Sequence, residues 1–544
     1  MGALTPRTSR AAMSVATAAG LVAAITLTAR VAGFGRTLVF AEAVRSAGVG
    51  AIYNTVNAVP NVLYEIAAGG VLAAVVVPIV GRHLGSGDPQ RAHRSVSALL
   101  TWAVAVLVPI AVLLAIAAPL LSAWLVDPRQ PGAVEVGTTM LRIFAVQVPL
   151  YGMGIVLAGL LQAHRRFVAA ALAPLQSSVV VIVAYAAYGA MTAGSTDPAN
   201  VSHAAVLVLA WGTTLGVAAL SLPLVLPALS TGWRWQPTFA FPAGDARRVA
   251  QLAGAGMLAL SAQQVLVVVT IWLANHRGDT GTMSVYQYIQ AVYVLPYAVL
   301  AVPIATAVTP TMAHAEGAGR DLADTLARAV RAILVVTGLA AAVLIATAGP
   351  VQTFFAVLDA HRGDGNVSTD SLHELASGLV AYAPGLIGFG LIALASRVLY
   401  VRGSARRAGA IIAAGWLMAA VIPLTTLADS GGAGRTLRML GIGSSVGMTV
   451  AAVGLLALVV RSWGRAAIAG AGRTASGTVA GLVVGGVAGW SIGHTWPPSG
   501  LGSSLVIAAI AAAVAVAAYT LIAGVIDRRA VMEAIRRGRQ GERP

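Results

Sequence analysis

The sequence predicts an all-α polytopic membrane protein with 14 transmembrane helices, arranged as two parallel six-helix lobes plus two C-terminal helices. Three observations predict it: 58% of the 544 residues are hydrophobic, only 10% are charged, and long apolar stretches recur along the whole chain. A soluble chain of this length carries about 25% charged residues, because its surface must face water. The composition therefore excludes a water-soluble enzyme and a nucleic-acid-binding protein, despite the net charge of +16.

The individual spans follow from the thickness of a bilayer core, about 30 Å, which roughly 20 apolar residues of helix cross. Fourteen apolar stretches bounded by Arg, Asp, Gly or Pro clusters meet this requirement. Their limits are about 12–42, 51–80, 95–126, 133–163, 166–192, 203–230, 246–275, 282–312, 325–356, 372–400, 406–428, 437–460, 468–492 and 502–526. The first stretch resembles a signal peptide, but it continues past Arg30 to about Phe40. We therefore expect it to be a transmembrane helix and not a cleaved signal.

The arginines test this count, since all 35 basic residues of the chain are Arg. With a cytoplasmic N-terminus, 25 arginines fall in inside segments, 6 in outside loops and 4 within spans. This bias follows the positive-inside rule, so we expect both termini to be cytoplasmic. Basic clusters at the inner face also attract anionic membrane lipids, by about 1 kcal/mol for each residue. The histidines of these loops, His83 among them, are expected to be solvated.

Two segments of the chain resemble each other, and their later prolines and final glycines lie 232 residues apart. Residues 59–87 and 295–319 both begin with a Leu/Val-Pro pair, contain a later proline and end in Gly-x-Gly. A weaker similarity relates 159–167 to 397–405. Both offsets correspond to six helices, which predicts parallel repeats with substrate at their interface. The predicted units are an N-lobe (1–230), a C-lobe (231–460), helices 13 and 14 (461–526) and a basic cytoplasmic tail (527–544).

Prolines inside spans indicate bent helices, because each one removes a backbone hydrogen bond. Prolines in or at the ends of predicted helices include Pro60, Pro78, Pro296, Pro303, Pro310 and Pro384. Breaks of this kind persist where neighbours or a cavity satisfy the freed carbonyls. The alternative explanation is that these prolines have no special role, since membrane helices carry more proline than soluble helices do. We expect at least some of these bends to shape a moving, cavity-lining helix 2 or 8.

Helix 1 contains two arginines within its span, although a charge there costs about 2.5–3.5 kcal/mol. Arg30 and Arg36 lie about 9 Å apart along the helix axis. Gly33, between them, makes a bend easier. Such residues usually face a cavity or a partner, so both arginines are predicted to line a cavity.

Helix 2 contains a stripe of polar side chains. Asn54, Asn57, Asn61 and Glu65 recur at spacings of three or four residues and therefore share one helical face. In a span otherwise rich in Ala and Val, such a stripe is typical of a water-filled vestibule. Glu65 is the expected counter-ion for one of the helix 1 arginines.

Three further spans contain polar residues that could reach the same space. Gln263 and Gln264 interrupt helix 7, and Gln290 lies on the amphipathic helix 8. Arg397 ends helix 10 near the cytoplasmic side, where its side chain either binds substrate or extends to the membrane interface.

The chemistry of the two helix 1 arginines favours an anionic ligand. Guanidinium is a planar, permanently charged fork that matches phosphate or carboxylate oxygens. Such a site suits the pyrophosphate of a polyprenyl-linked sugar and suits a cationic drug poorly. The sequence offers no GxxxxGK[ST] loop, nucleophile–base pair or metal-ligand cluster, so neither an enzyme nor a cofactor is predicted. Transport would then be driven by membrane potential or an ion gradient.

Three motifs together resemble the MurJ/MviN family of lipid II flippases. They are RVAGFGR (30–36), VPNVLYEIAAGGVLAAVVVPIV (59–80) and LPYAVLAVPIATAVTP (295–310), and the resemblance covers helices 1 to 12 in order. The arginine-only composition is similar to that of actinobacterial members. The resemblance implies a flippase that moves the undecaprenyl-pyrophosphate-linked peptidoglycan precursor from the inner to the outer leaflet of the bacterial cytoplasmic membrane by alternating access. It also implies that Arg30 and Arg36 bind the headgroup, and that proteins of cell-wall synthesis and division are candidate partners.

The chain departs from the family pattern at several cavity positions. Tyr64 and Glu65 stand where other members carry two basic residues, and Gln290 and Ala291 replace an acidic–basic pair. Ala51 replaces an acidic residue near the start of helix 2. These departures imply a cavity that is less positive than is usual for the family. Some members bind sodium through carboxylates on helices 7 and 11, whereas helix 7 here offers only glutamines, so no sodium site is predicted.

Three alternative functions remain open from the sequence. One is a flippase for another polyprenyl-pyrophosphate glycan, such as a capsule unit. Another is a MATE-like cation or drug antiporter, which would need a buried carboxylate that, apart from Glu65, the spans barely supply. A third is a non-transporting scaffold that recruits cell-wall proteins through the basic tail.

Overall fold

The computed structural model describes residues 15–66, 72–305, 322–360, 370–428 and 431–532. These residues form helices joined mostly by short connections, with a longer segment, 230–244, before Asp245. In chain order the α-helices are α1 (Val15–Ala43), α2 (Val49–Tyr64), α3 (Leu72–Gly85), α4 (Pro89–Leu125), α5 (Ala133–Phe144), α6 (Gln147–Ala163), α7 (Phe167–Thr192), α8 (His203–Ser221), α9 (Val225–Leu229), α10 (Asp245–His276), α11 (Thr282–Pro296), α12 (Ala323–Ala360), α13 (Leu375–Tyr382), α14 (Gly385–Val401), α15 (Ala405–Thr426), α16 (Ala433–Trp463), α17 (Ala471–Thr495) and α18 (Leu501–Ile526).

Within the described residues, eleven helical segments are long and apolar enough to cross a membrane. A twelfth span results if Ser371–Tyr382 and Gly385–Tyr400, which are bent by 48° at a short break, are counted together. These twelve correspond in order to predicted spans 3 to 14, and the bend falls at Pro384 as expected. Helix α1 occupies predicted span 1, and α2 and α3 occupy the two ends of predicted span 2, with residues 67–71 outside the described part. The full count of fourteen therefore stays a prediction.

The predicted internal repeat is visible in the backbone of α2 and α11. Each helix follows a glycine with positive φ, Gly48 at +50° and Gly281 at +88°. Each then passes into a π-helical turn, which begins at residue 65 in one case and at residue 297 in the other. The two turns start 232 residues apart, the offset found in the sequence. Such turns are frequent at functional sites, because they interrupt the regular ladder of backbone hydrogen bonds.

The helices pack as two groups. Helices α1 to α9 pack mainly with one another and are referred to here as the N-terminal bundle, and α10 to α16 form the C-terminal bundle. Helices α17 and α18 pack against each other and against α12. Tyr519 of α18 is fully buried and donates a hydrogen bond to the carbonyl oxygen of Val335, 2.9 Å away. The last two helices are thus attached to the C-terminal bundle.

The connection between the two bundles lies along α4. Two tryptophans of this connection donate hydrogen bonds to hydroxyls of α4, Trp233 to Ser97 over 3.2 Å and Trp235 to Thr101 over 3.3 Å. In the reverse direction, Trp102 of α4 donates to the carbonyl oxygen of Phe239. The connection is therefore held against the N-terminal bundle along its length.

The connection ends at Asp245, the first residue of α10, whose side chain is fully buried. Its carboxylate accepts hydrogen bonds from Arg82, from His83 Nε2 at 2.9 Å and from Ser95 Oγ at 2.7 Å. A buried carboxylate needs such partners, because an unpaired charge away from water is costly. His83 is only 6% exposed, so the expectation that it is solvated is wrong.

Candidate functional site: a cavity between the bundles

A cavity of about 760 Å³ lies between the two bundles. Its wall is formed by α1, α2, α6, α7 and α8 from the N-terminal bundle and by α10 and α11 from the C-terminal bundle. Seven of the eight candidate residues line it: Arg30, Gly33, Arg36, Asn57, Asn61, Glu65 and Gln290. The sequence pattern therefore locates this cavity.

The two arginines lie at different depths of the cavity. Arg30 is exposed and Arg36 is half-buried, whereas Phe40, one turn further along α1, is only 4% exposed. The cavity therefore narrows towards the C-terminal end of α1 and widens towards Arg30. Within the described wall, two arginines and one glutamate carry charge, so the wall is net positive.

Gly33 leaves the wall open between the two arginines. A Cβ atom added at this position would meet no atom within 4 Å. A larger side chain here would therefore project into empty space rather than into a neighbouring helix.

The polar stripe of α2 faces the cavity and continues onto α6. Asn61 Nδ2 donates to the carbonyl oxygen of Asn57 over 3.0 Å, and Tyr151 Oη donates to Asn61 Oδ1 over 3.0 Å. Two other buried polar atoms of the wall, Asn57 Oδ1 and Tyr288 Oη, have no hydrogen-bond partner in the described structure. Buried polar groups in native proteins are almost always satisfied, so these two atoms point to water or a polar ligand in the cavity.

A second polar group of the wall was missed by the sequence analysis. Tyr53 Oη lies 2.8 Å from Tyr185 Oη and 3.1 Å from Thr213 Oγ1, which joins α2, α7 and α8. Tyr53 is the third residue of the predicted span 51–80, where interfacial tyrosines are usual, so no sequence signal sets this group apart.

Glu65 does not form the ion pair predicted for it. None of the ion pairs among the described residues involves Arg30, Arg36 or Glu65. The three side chains border a wide polar space, where an ion pair that water can reach gains little free energy. The counter-ion prediction is therefore wrong for this conformation, and both guanidinium groups stay free for a ligand.

Arg397 does not line this cavity. It is half-buried near the end of α14, and its guanidinium donates to the carbonyl oxygen of Ala393, one turn back on the same helix, over 2.8 Å. The structure thus brings together the candidates on α1, α2 and α11 but not the one on α14.

The narrow end of the cavity is closed by a buried ionic contact between the bundles. Arg45 follows α1, and Asp359 lies at the end of α12; they are 6% and 2% exposed. Arg45 Nε donates to the carbonyl oxygen of Asp359 over 2.8 Å and lies 3.9 Å from its carboxylate. The same carboxylate accepts from the backbone N–H of Ser46 over 2.6 Å. This contact is referred to below as the Arg45–Asp359 latch.

Neutral hydrogen bonds between the bundles support the latch. Asn54 Nδ2 donates to Ser284 Oγ over 3.0 Å, and Asn275 Nδ2 donates to Thr55 Oγ1 over 2.9 Å. In the adjoining loops, Arg129 donates to the carbonyl oxygen of Gly278 over 2.8 Å. All these contacts lie at the latch end, so the cavity is closed there.

Comparison with known proteins places this arrangement in a family. Residues 40–510 match the family model described as "Lipid II flippase MurJ", which is most of the chain. This chain belongs to the MurJ lipid II flippase family. The "Probable lipid II flippase MurJ" of Rhizobium tropici is 26% identical over 334 residues, 59% of this chain and 60% of that relative. The "Lipid II flippase MurJ" of Burkholderia cenocepacia is 23% identical over 400 residues, 70% of this chain and 72% of that relative.

Solved structures agree with this MurJ-family fold. A structure described as "Lipid II flippase MurJ, inward closed conformation" matches with a TM-score of 0.69 at 15% identity, covering 93% of this chain and 99% of that one. An inward-facing multidrug resistance MATE family transporter matches with a TM-score of 0.62 at 16% identity, covering 81% of this chain and 98% of that one. At these identities the likeness shows the fold alone.

Proposed function

We propose that this chain is a lipid II flippase, which moves the undecaprenyl-pyrophosphate-linked peptidoglycan precursor from the inner to the outer leaflet. The observation that carries the proposal is the placement of Arg30 and Arg36 in one wide cavity between the bundles of a MurJ-family chain. Neither guanidinium is engaged with a carboxylate among the described residues. Free guanidinium groups are suited to the oxygens of a pyrophosphate, with two parallel hydrogen bonds each.

The surrounding residues have distinct parts in this proposal. Asn57 and Asn61 supply neutral hydrogen-bonding groups beside the arginines, and Gln290 supplies one from the opposite bundle. Gly33 leaves room for the headgroup to approach the backbone of α1. Glu65 reduces the net positive charge, which lets the anionic headgroup leave again.

Alternating access follows from the position of the latch. With both termini in the cytoplasm of a bacterium, the latch lies on the extracytoplasmic side of the plasma membrane, so this conformation admits substrate from the inside. Opening of the latch and closure of the wide end would then release the headgroup outside. Membrane potential or an ion gradient drives the cycle, since one charge moved across 100 mV contributes about 2.3 kcal/mol. Anionic lipids would contact the cytoplasmic arginines, and proteins of cell-wall synthesis and division are proposed partners.

Two alternative functions of the same fold have less support than a lipid II flippase. An antiporter of the MATE kind would use a carboxylate as its cation site, and Glu65 is the single acidic side chain of the described wall. A flippase for another polyprenyl-pyrophosphate glycan would use the same arginines, so only the identity of the accumulating precursor separates it from a lipid II flippase.

The test is a leaflet-accessibility assay for lipid II in bacteria depleted of their own flippase and relying on this chain. The proposal expects lipid II to become accessible at the outer face with the wild-type chain and to remain inside with the Arg30→Ala/Arg36→Ala variant. The double variant in which Arg435 and Arg438, at the start of α16, become Ala is the matched control, because it removes the same charge away from the cavity. Normal accessibility with both cavity arginines removed would contradict the proposal, and a scaffold would give this result.

A further inference from the structure

A second, smaller cavity of about 140 Å³ lies within the C-terminal bundle, beside the central one. Gln263 and Gln290 line both cavities, so the two spaces share a wall. The smaller cavity, referred to here as the side pocket, is bounded by residues of α10, α11, α13, α14, α15 and α16. A group held by the arginines of α1 could therefore extend across this shared wall into the side pocket.

The walls of the side pocket are aromatic and amphipathic. Tyr382 packs against Tyr286 and Tyr293, with ring centroids 6.3 and 5.6 Å apart. On the other side, Trp416 meets Phe389 edge-on, with centroids 6.1 Å apart. These contacts fix the rings in place before any ligand arrives, which lowers the entropic cost of binding.

The polar groups of the side pocket are neutral. Gln263, Gln290 and Ser444 offer amide and hydroxyl groups, and none of the described wall residues carries a charge. Tyr293 is 4% exposed, and its hydroxyl has no hydrogen-bond partner in the described structure. A buried hydroxyl without a partner lowers stability, so the pocket is arranged to accept a polar, uncharged group.

We propose that the side pocket binds one sugar ring of the lipid-linked precursor while the arginines of α1 hold its pyrophosphate. A pyranose has apolar C–H faces, which suit the rings of Trp416 and Tyr382, and hydroxyl edges, which suit Tyr293 and the two glutamines. An inorganic cation fits poorly, because none of the described wall residues is a carboxylate, and a polyprenyl tail would leave the buried Tyr293 hydroxyl unpaired. The inference rests on the proposed function and adds to it that the sugars are recognised separately from the pyrophosphate.

The test compares two ligands that differ in the sugar. Binding of lipid II and of undecaprenyl pyrophosphate, which has no sugar or peptide, is measured on the purified full chain by native mass spectrometry. Trp416→Ala should weaken lipid II binding about tenfold, equivalent to 1.4 kcal/mol, and leave undecaprenyl pyrophosphate binding unchanged. Arg36→Ala should weaken both ligands. Trp490→Ala, at a position 46% exposed on the outside of α17, is the matched control and should change neither.

A second variant separates binding from folding. Tyr293→Phe removes only the unpaired hydroxyl, so it should leave the melting temperature unchanged or raise it while weakening lipid II binding about threefold or more. Equal weakening of both ligands by Trp416→Ala, or no effect of either variant on lipid II, would overturn the sugar assignment while leaving the flippase proposal intact. Failure of the wild-type chain to bind lipid II at all would instead overturn the proposed function.

Discussion

Asp359→Asn should open the closed end of the cavity. The substitution keeps the size of the side chain but removes the charge that faces the buried guanidinium of Arg45, 3.9 Å away. Removing one partner of a buried ion pair costs about 3–5 kcal/mol, because the other charge stays buried and unpaired. The amide oxygen can still accept from the Ser46 N–H, so we take the lower value, about 3 kcal/mol. Since each 1.4 kcal/mol is about tenfold, the closed state should lose roughly a hundredfold in population relative to the open one.

The chain offers a clean assay for this change, because it contains no cysteine. A single Val217→Cys substitution places a thiol in the cavity wall, at a position 5% exposed in the closed conformation. A membrane-impermeant maleimide added to intact cells should label this thiol slowly in the otherwise wild-type chain and much faster with Asp359→Asn. Asp197→Asn is the matched control, because Asp197 lies in an exposed loop at the same end and bonds only to its own loop in the described structure.

The latch would be refuted by equal labelling rates in the two chains at matched expression. Faster labelling with the Asp197→Asn control as well would also contradict it, since the effect would then reflect a general loosening of the loops. Labelling that rises only with Asp359→Asn supports the latch as the extracytoplasmic gate.

Three further outcomes follow from the structure. Gly33→Ala should raise the melting temperature slightly, because alanine is favoured over glycine in a helix by about 1 kcal/mol and its methyl group meets no neighbour here. Gly33→Leu should weaken lipid II binding at unchanged stability. Normal binding with leucine would exclude close approach of the headgroup at this position. Asp245→Asn should lower the free energy of unfolding by about 1–3 kcal/mol, because the buried hydrogen bonds from His83 and Ser95 lose their charged acceptor, whereas Arg82, 41% exposed, stays open to water and adds little. Ser95→Ala should have an effect of similar size, and unchanged denaturation curves would show that this junction does not hold the bundles together. Arg36→Lys should retain more lipid II binding than Arg36→Ala and less than wild type, since lysine keeps the charge but not the fork; equal binding by all three chains would remove Arg36 from the site.

Helix positions could be predicted from the sequence because burial in lipid imposes a pattern on each segment separately. The predicted span 203–230 coincides with helical residues 203–229, and the offset of 232 residues reappears in the two π-helical turns. The break between α5 and α6 was not predicted, since the stretch 133–163 reads as one span. Pro149, which cannot donate to the carbonyl oxygen of residue 145, was the overlooked signal. Local pattern therefore locates the helices but not every interruption.

Contacts between distant residues could not be predicted in the same way. Arg45 and Asp359 are 314 positions apart, and in the sequence Arg45 is only one of six outside arginines. His83 lies in the last turn of α3 beside Arg82, and nothing in the local sequence shows that it will bond to Asp245. The candidates of α1 and α2 were found because charges and amides stand out in apolar spans, whereas Tyr53 and Tyr185 resemble ordinary membrane tyrosines.

The central claim is that the arginine-lined cavity carries lipid II across the membrane. Its most direct test is transbilayer movement of lipid II in vesicles that contain only this chain and lipid, with and without an imposed membrane potential. The account predicts that lipid II crosses in vesicles with the wild-type chain and stays in its original leaflet in vesicles with Arg30→Ala/Arg36→Ala. Movement at the same rate in both, or no movement above protein-free vesicles under any potential or ion gradient, would contradict it.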